Sequence, residues 1–92
     1  MKIICLDYDG SYTEFPELFN DIIIKCKAFG YTVIMATMRH ENEKDSGLEY
    51  IETIVDKLIF TGRKAKKTHL ESIGIKPDLW IDDNPKWILN DA

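Results

Sequence analysis

Two cysteines, three prolines and five glycines are all that the 92-residue chain contains of these residues. Cys5 falls in an apolar run and Cys26 on an apolar helix face, so a disulfide scaffold is excluded. Two buried, unpaired thiols fit a reducing compartment. No Cys-x-x-Cys occurs, and His40 and His69 stand apart, which argues against a thiolate or imidazole metal site. The longest apolar runs, such as Ile22–Ile24 and Val33–Ala36, fall far short of the ~18–20 residues of a bilayer span. The opening Met1–Leu6 meets Asp7 at once and does not read as a signal peptide. The expected location is therefore cytoplasmic, with no membrane partner. Twelve Lys+Arg against sixteen Asp+Glu give a net charge of −4, so there is no large excess of either sign. What remains is 45% apolar and 30% charged, the composition of a folded globular domain rather than a disordered, collagenous or coiled-coil chain. A chain this short buries roughly 60–65% of its unfolded surface. That suits a single domain over residues 1–92 and leaves no length for a large lid over a substrate.

Lys2–Leu6 has the near-continuous apolar pattern of a strand buried on both faces. A polar turn, Asp7–Thr13, follows it. Pro16 suits the first turn of a helix, with Leu18, Ile22, Cys26 and Phe29 as its apolar stripe and Gly30 as its C-terminal stop. Tyr31–Ala36 reads as a second strand and the charged Arg39–Asp45 as a loop. Ser46 and Glu49 have capping-box spacing, and Leu48, Ile51 and Val55 line the helix they open. Leu58–Phe60 is a third strand. A third helix begins near Lys66, turns Leu70 and Ile73 inward and closes at Gly74. Leu79–Ile81 is the fourth strand, and Asn84-Pro85 begins a last short helix. Strand–helix alternation repeated in this way predicts an α/β domain with a parallel sheet and right-handed crossovers. In such sheets ligands bind beyond the carboxyl ends of the strands.

Those ends read Asp7-Tyr8-Asp9-Gly10-Ser11, Thr37-Met38-Arg39, Thr61-Gly62-Arg63 and Asp82-Asp83-Asn84. Taken singly, each aspartate is as often a turn or helix cap, Thr37 a strand-end hydroxyl, and Lys64–Lys67 a solvated helix start. A helix N-terminus is nevertheless an awkward place for bare cations. If strands one and four are neighbours, up to four carboxylates converge. Each pair ~4 Å apart repels by about 1 kcal/mol in water and about 4 at an effective dielectric of 20. A domain stable by roughly 5–15 kcal/mol needs a counter-ion for that. Hard oxygen ligands at an open rim suit Mg²⁺, so the edge reads as a magnesium and phosphate site.

These residues resemble the motifs of the haloacid dehalogenase (HAD) superfamily of phosphotransferases, in family order and over nearly the whole chain. Asp7-Tyr8-Asp9-Gly10-Ser11 resembles the first motif, Val33–Thr37 the second, a lysine near the start of the third helix the third, and Leu79-Trp80-Ile81-Asp82-Asp83 the fourth. The run Trp80–Pro85 is also similar to short members of the superfamily, some of them phage-encoded. Ser11 stands where Thr or Val is usual, and the connections are too short for the family's mobile cap. The resemblance implies a minimal, capless, Rossmann-like three-layer sandwich with a roughly four-stranded parallel sheet and helices on both faces. It implies a phosphatase in which Asp7 is the nucleophile and Asp9 the general acid, then base. Mg²⁺ would be held by Asp7, the Asp9 carbonyl and Asp82 or Asp83. Thr37 would donate to a phosphoryl oxygen. The third-motif lysine would be Lys66, with Lys67 and then Lys64 as alternatives. Gly10, Ser11, Met38, Arg39 and Lys67 are the expected substrate contacts.

An open site suits a phosphate on a small molecule such as a nucleotide, on a protein or on a nucleic-acid end. Arg39, His40 and Arg63–Lys67 supply basic groups to its rim. The competing reading is a HAD-fold module with weak or no catalysis that recognises a partner or a nucleotide. A response-regulator receiver domain is disfavoured, because there the acidic pair follows the first strand and not the last. In a third reading a partner supplies the missing cap, docking on Tyr8, Tyr12, Phe15 and Trp87.

Overall fold

The apolar runs form four strands, β1 (Ile3–Leu6), β2 (Thr32–Thr37), β3 (Lys57–Phe60) and β4 (Leu79–Ile81), in the computed structural model, which describes residues 2–92. All pair in parallel, in the order β3-β2-β1-β4. Helices α1 (Pro16–Ala28), α2 (Ser46–Ile54), α3 (Lys66–Ser72) and α4 (Lys86–Leu89) connect and follow them. Strand side chains alternate between faces, and the core divides accordingly. Ile4, Leu6, Val33 and Met35 pack with Phe19 and Ile23 of α1 and Leu48 and Ile51 of α2. On the other face Cys5, Ile34 and Ala36 pack with Leu70 of α3.

The chain steps from β1 to β2 to β3 in one direction with α1 and α2 on one face. It then returns past β1 to β4 with α3 on the opposite face. Right-handed crossovers require that change of face when the direction of travel reverses. The reversal falls between β1 and β4, a switch point where a crevice opens at the strands' carboxyl ends. Leu6 is level with both Ile81 and Met35, so Asp7 and Asp82 emerge side by side with Thr37 close by. The Asp7 amide extends the ladder by donating to Ile81 O at 2.9 Å.

Three local expectations change. On α1, Leu18 and Phe29 are exposed and the buried line runs through Phe19 and Ile23. Leu18, Phe19, Ile22, Ile23, Ile24 and Phe29 are all apolar, so spacing alone does not fix the helix's rotation. Its end is as expected: Gly30 at φ 86° lets its own amide reach Lys27 O and the Tyr31 amide reach Cys26 O, both at 3.0 Å, a Schellman closure. The cap of α2 is Asp45, whose carboxylate accepts from the Leu48 amide at 2.9 Å, and Ser46 is the first helical residue. On α3, Ile73 is exposed and Ile75 packs against the core in its place.

Cys5 and Cys26 are free. Burial pushes the Cys5 thiol up to about 12, which keeps it protonated and inert. Among the described residues no helix is long and apolar enough to cross a membrane.

Candidate active site

Backbone parity decides which way the strand-end carboxylates point. Cys5 and Trp80 face α3, and Asp7 is still extended (φ −90°, ψ 149°). Two residues on, Asp7 and Asp82 therefore share that face. There they meet Lys66, the first residue of α3. Its Nζ donates to Asp7 Oδ1 at 2.6 Å and to Asp82 Oδ2 at 2.7 Å. The three side chains are nearly inaccessible, at 3% for Lys66, 8% for Asp7 and 4% for Asp82. The cation that looked misplaced at a helix start is thus neutralised by two carboxylates. The N-terminus of α3 gains a further acidic partner, because Asp91 accepts from the Ala65 amide at 2.6 Å.

After Asp7 the chain makes one wide turn, with the Tyr12 amide donating to Asp7 O at 3.4 Å and the Thr13 amide to Tyr8 O at 3.1 Å. Turns of this i→i+5 kind concentrate at functional sites. This one buries Tyr8, Ser11 and Tyr12, so neither tyrosine offers a free docking surface, whereas Phe15 is exposed. Ser11 Oγ lies 3.1 Å from Asp7 Oδ2 and 3.4 Å from Asp83 Oδ1, and accepts from the Asp83 amide at 3.2 Å. It thereby ties the β1 turn to the β4 turn. Gly10 has φ 85°, and a Cβ there would run into the Asp83 carboxylate. Only glycine combines that conformation with that proximity.

Oxygens of Asp7, Asp82 and Asp83 lie within 4.8 Å of one another. Two ionised carboxylates at that distance repel by roughly 3–4 kcal/mol at an effective dielectric of 20, and one ammonium cannot balance three. Burial pushes the Asp7 carboxyl up to about 7 despite Lys66, and Asp83 and Asp82 add to the rise. Burial opposes the charge on Lys66 as well, yet hydrogen bonds and attraction from Asp7 and Asp82 hold its ammonium above the ordinary value. Burial is thus the main cause of the Asp7 shift, with the neighbouring carboxylates adding to it, while Asp7 and Asp82 themselves raise Lys66. An all-oxygen donor set in which three carboxylates face one ammonium fits a hard divalent cation.

A cleft of about 460 Å³ opens over this group, lined by Asp7, Asp9, Gly10, Thr37, Met38, Arg63, Lys66, Asp82, Asp83, Asn84, Trp87 and Ala92. Four expected residues sit differently from the rest. Asp9 reaches the cleft, but its carboxylate is outside the acidic triad. It accepts from Arg39 Nε at 3.0 Å and Nη2 at 2.8 Å. Arg39 is turned from the cleft to hold Asp9 and Asp45, with Nη1 donating to Asp45 Oδ2 at 3.1 Å and its guanidinium 5.3 Å from the centre of the Tyr8 ring. Ser11 is buried behind Asp7 and not exposed to the cleft. Lys67 is exposed and lines a separate, smaller hollow with Glu71, Lys76, Pro77 and Trp80, because only the first residue of α3 faces the strand ends. Lys64 lies in the preceding loop.

Arg63, Asn84 and Trp87 were outside the expected contacts. In the sequence Arg63 reads only as a rim cation and Trp87 only as a docking aromatic, and no local pattern announces that both reach the cleft. Asp45 was also missed. It accepts from Tyr8 Oη at 2.8 Å and from Arg39 while capping α2. Burial pushes its carboxyl up, but the Leu48 amide, Tyr8 and Arg39 outweigh that and hold it below its ordinary 3.8. A carboxyl depressed in the fold adds stability above its unfolded pKa and loses it as the pH falls through the folded one. Asp45→Ala is expected to cost about 1–2 kcal/mol at pH 7. In urea unfolding, the stability gap between wild type and Asp45→Asn should be constant near neutrality and shrink below pH 4. A gap independent of pH would show that the charge contributes nothing.

The chain matches no family model, no curated protein and no solved structure.

Proposed function

We propose that the chain is a Mg²⁺-dependent phosphatase of HAD type that works through an aspartyl-phosphate on Asp7. The observation that carries this reading is the buried Lys66 bridging Asp7 and Asp82 at the topological switch point, with Asp83 completing an acidic triad. A structural ion pair needs one carboxylate per ammonium. Gathering three beside a cleft serves ligands that bring positive charge and phosphate.

Asp7 Oδ attacks phosphorus, and the bond from phosphorus to the ester oxygen breaks. The leaving oxygen takes a proton from Asp9. Water then attacks the same phosphorus and gives a proton back to Asp9, and the Asp7–phosphorus bond breaks. The sum is one ester plus one water giving one alcohol plus one phosphate. Lys66 neutralises Asp7 and then the transferring group. The Thr37 hydroxyl oxygen accepts from the Arg39 amide at 3.3 Å, which leaves its proton for a phosphoryl oxygen. Mg²⁺ held by Asp7 and by Asp82 or Asp83 would supply charge stabilisation on the phosphoryl oxygens. Asp9 must leave Arg39 and take up a proton from solvent before it can serve a leaving group, so the arrangement is a resting one. The short connections around the cleft, without an inserted cap, leave the site open to solvent.

Hydrolysis of p-nitrophenyl phosphate is expected with Mg²⁺ and not with excess chelator. Turnover that is indifferent to chelation would refute the metal. No turnover, together with a Mg²⁺-dependent rise in melting temperature, would move the assignment to a binding module of the same fold.

A further inference from the structure

A cleft of about 460 Å³ is of the size that encloses a small organic ligand, roughly 300–1,000 Å³, and so exceeds what a phosphate group needs. Besides the acidic residues and Lys66 its lining includes Met38, Arg63, Asn84 and Trp87. A thioether, a guanidinium plane and an indole all pack favourably on flat π systems. Arg63 is fixed before any ligand arrives. Its amide and its Nη1 both donate to Met38 O at 2.7 Å, and its Nη2 donates to Glu43 Oε2 at 2.9 Å. It also holds φ 71°, the only non-glycine among the described residues in the left-handed region. Such a conformation persists where surrounding contacts over-determine it, and it clusters at ligand sites. Asn84 is exposed and offers both an amide donor and a carbonyl acceptor.

We infer that the ester taken here is a nucleoside monophosphate, its base lying against Trp87 and Arg63 and its phosphate at Asp7 and Lys66. The inference rests on the phosphatase reading for the position of the phosphate and extends it to the leaving group. A single nucleotide fits better than a polynucleotide, whose backbone needs a track of free cations. The chain carries a net charge of −4, and the two cations lining the cleft are already paired, Lys66 with Asp7 and Asp82 and Arg63 with Glu43.

The experiment compares AMP with glycerol 3-phosphate, which share an alkoxide leaving group and differ in the ring. Binding to Asp7→Asn is measured by calorimetry with Mg²⁺, and hydrolysis is measured with wild type. AMP is expected to win by at least about tenfold in both, since a stacked base contributes on that scale. Trp87→Ala should raise the KM for AMP about tenfold with kcat within about twofold, and Trp87→Phe should restore most of the loss. Equal handling of the two esters, with p-nitrophenyl phosphate still hydrolysed, would overturn the nucleotide assignment and leave the phosphatase standing. Trp87-dependent binding of AMP without turnover of any ester would uphold the ligand and overturn the phosphatase. Preference for a phosphorylated oligonucleotide or a tyrosine phosphopeptide over AMP would also overturn the assignment.

Discussion

Asp7→Asn should lose Mg²⁺-dependent ester hydrolysis by at least about a thousandfold, the scale on which enzymes lose activity when a nucleophile is removed, while folding as well as wild type. The amide's nitrogen lone pair is delocalised into its carbonyl and does not attack phosphorus, but the site can absorb the substitution. Lys66 donates to Asp7 Oδ1, so the retained carbonyl oxygen takes that position. On the other side Ser11 Oγ, now donating to Asp7 Oδ2 at 3.1 Å, can accept from the new amide and turn its proton to Asp83 Oδ1 at 3.4 Å. Two carboxylates instead of three then surround one ammonium, and the melting temperature without metal should stay level or rise. The rise on adding Mg²⁺ should shrink, because one hard ligand has been lost. Initial rates and melting curves in Mg²⁺ and in chelator measure all of this. Retained turnover would remove Asp7 from the role of nucleophile. A fall of many degrees without metal would mean that its charge is needed chiefly to hold Lys66.

The elements that position the site were legible because they obey local rules. Continuous apolar runs gave the strands, glycine and proline punctuated them, and alternation predicted the parallel sheet. The acidic strand ends and Lys66 could be named because a parallel sheet puts all such ends on one edge. What escaped depends on contacts between distant residues. Asp91 serves α3 across 26 positions, and Arg39 joins Asp9 across 30. Neither pair leaves a mark in spacing. The rotation of α1 was hidden for the opposite reason: apolar residues cover too much of its circumference, and only packing against Val33 and Met35 selects the Phe19 and Ile23 side. Reach ranked Lys66 ahead of Lys67 without excluding it; successive helical side chains point about 100° apart, and it is Lys66 that turns to Asp7 and Asp82. Arg39 has the composition of a phosphate ligand, but three nearby acceptors claim it first: Asp9, Asp45 and the Glu43 carbonyl.

Lys66→Met should be the most damaging substitution for stability, by about 3–5 kcal/mol, because it leaves buried carboxylates with no counter-charge. Asp7 and Asp82 each lose a short charged hydrogen bond, and their mutual repulsion is then felt by side chains that are only 8% and 4% accessible. A domain stable by only 5–15 kcal/mol would sit close to unfolding, with a midpoint lower by roughly 4–8 °C for each kcal/mol lost. A divalent cation supplies the missing charge, so Mg²⁺ should raise the variant's melting temperature more than it raises that of wild type. Adding Asp7→Asn removes one of the uncompensated charges and should recover part of the loss, the coupling expected of residues in one ion-pair network. Turnover should fall at least about a hundredfold even where Mg²⁺ restores the fold, since the ion's charge does not replace a hydrogen-bond donor aimed at the reacting group. Lys67→Ala and Lys64→Ala are the controls and should stay within about twofold, because neither side chain lines the cleft. A stable Lys66→Met, or loss of activity in Lys67→Ala instead, would show that the buried bridge is not the electrostatic centre of the site.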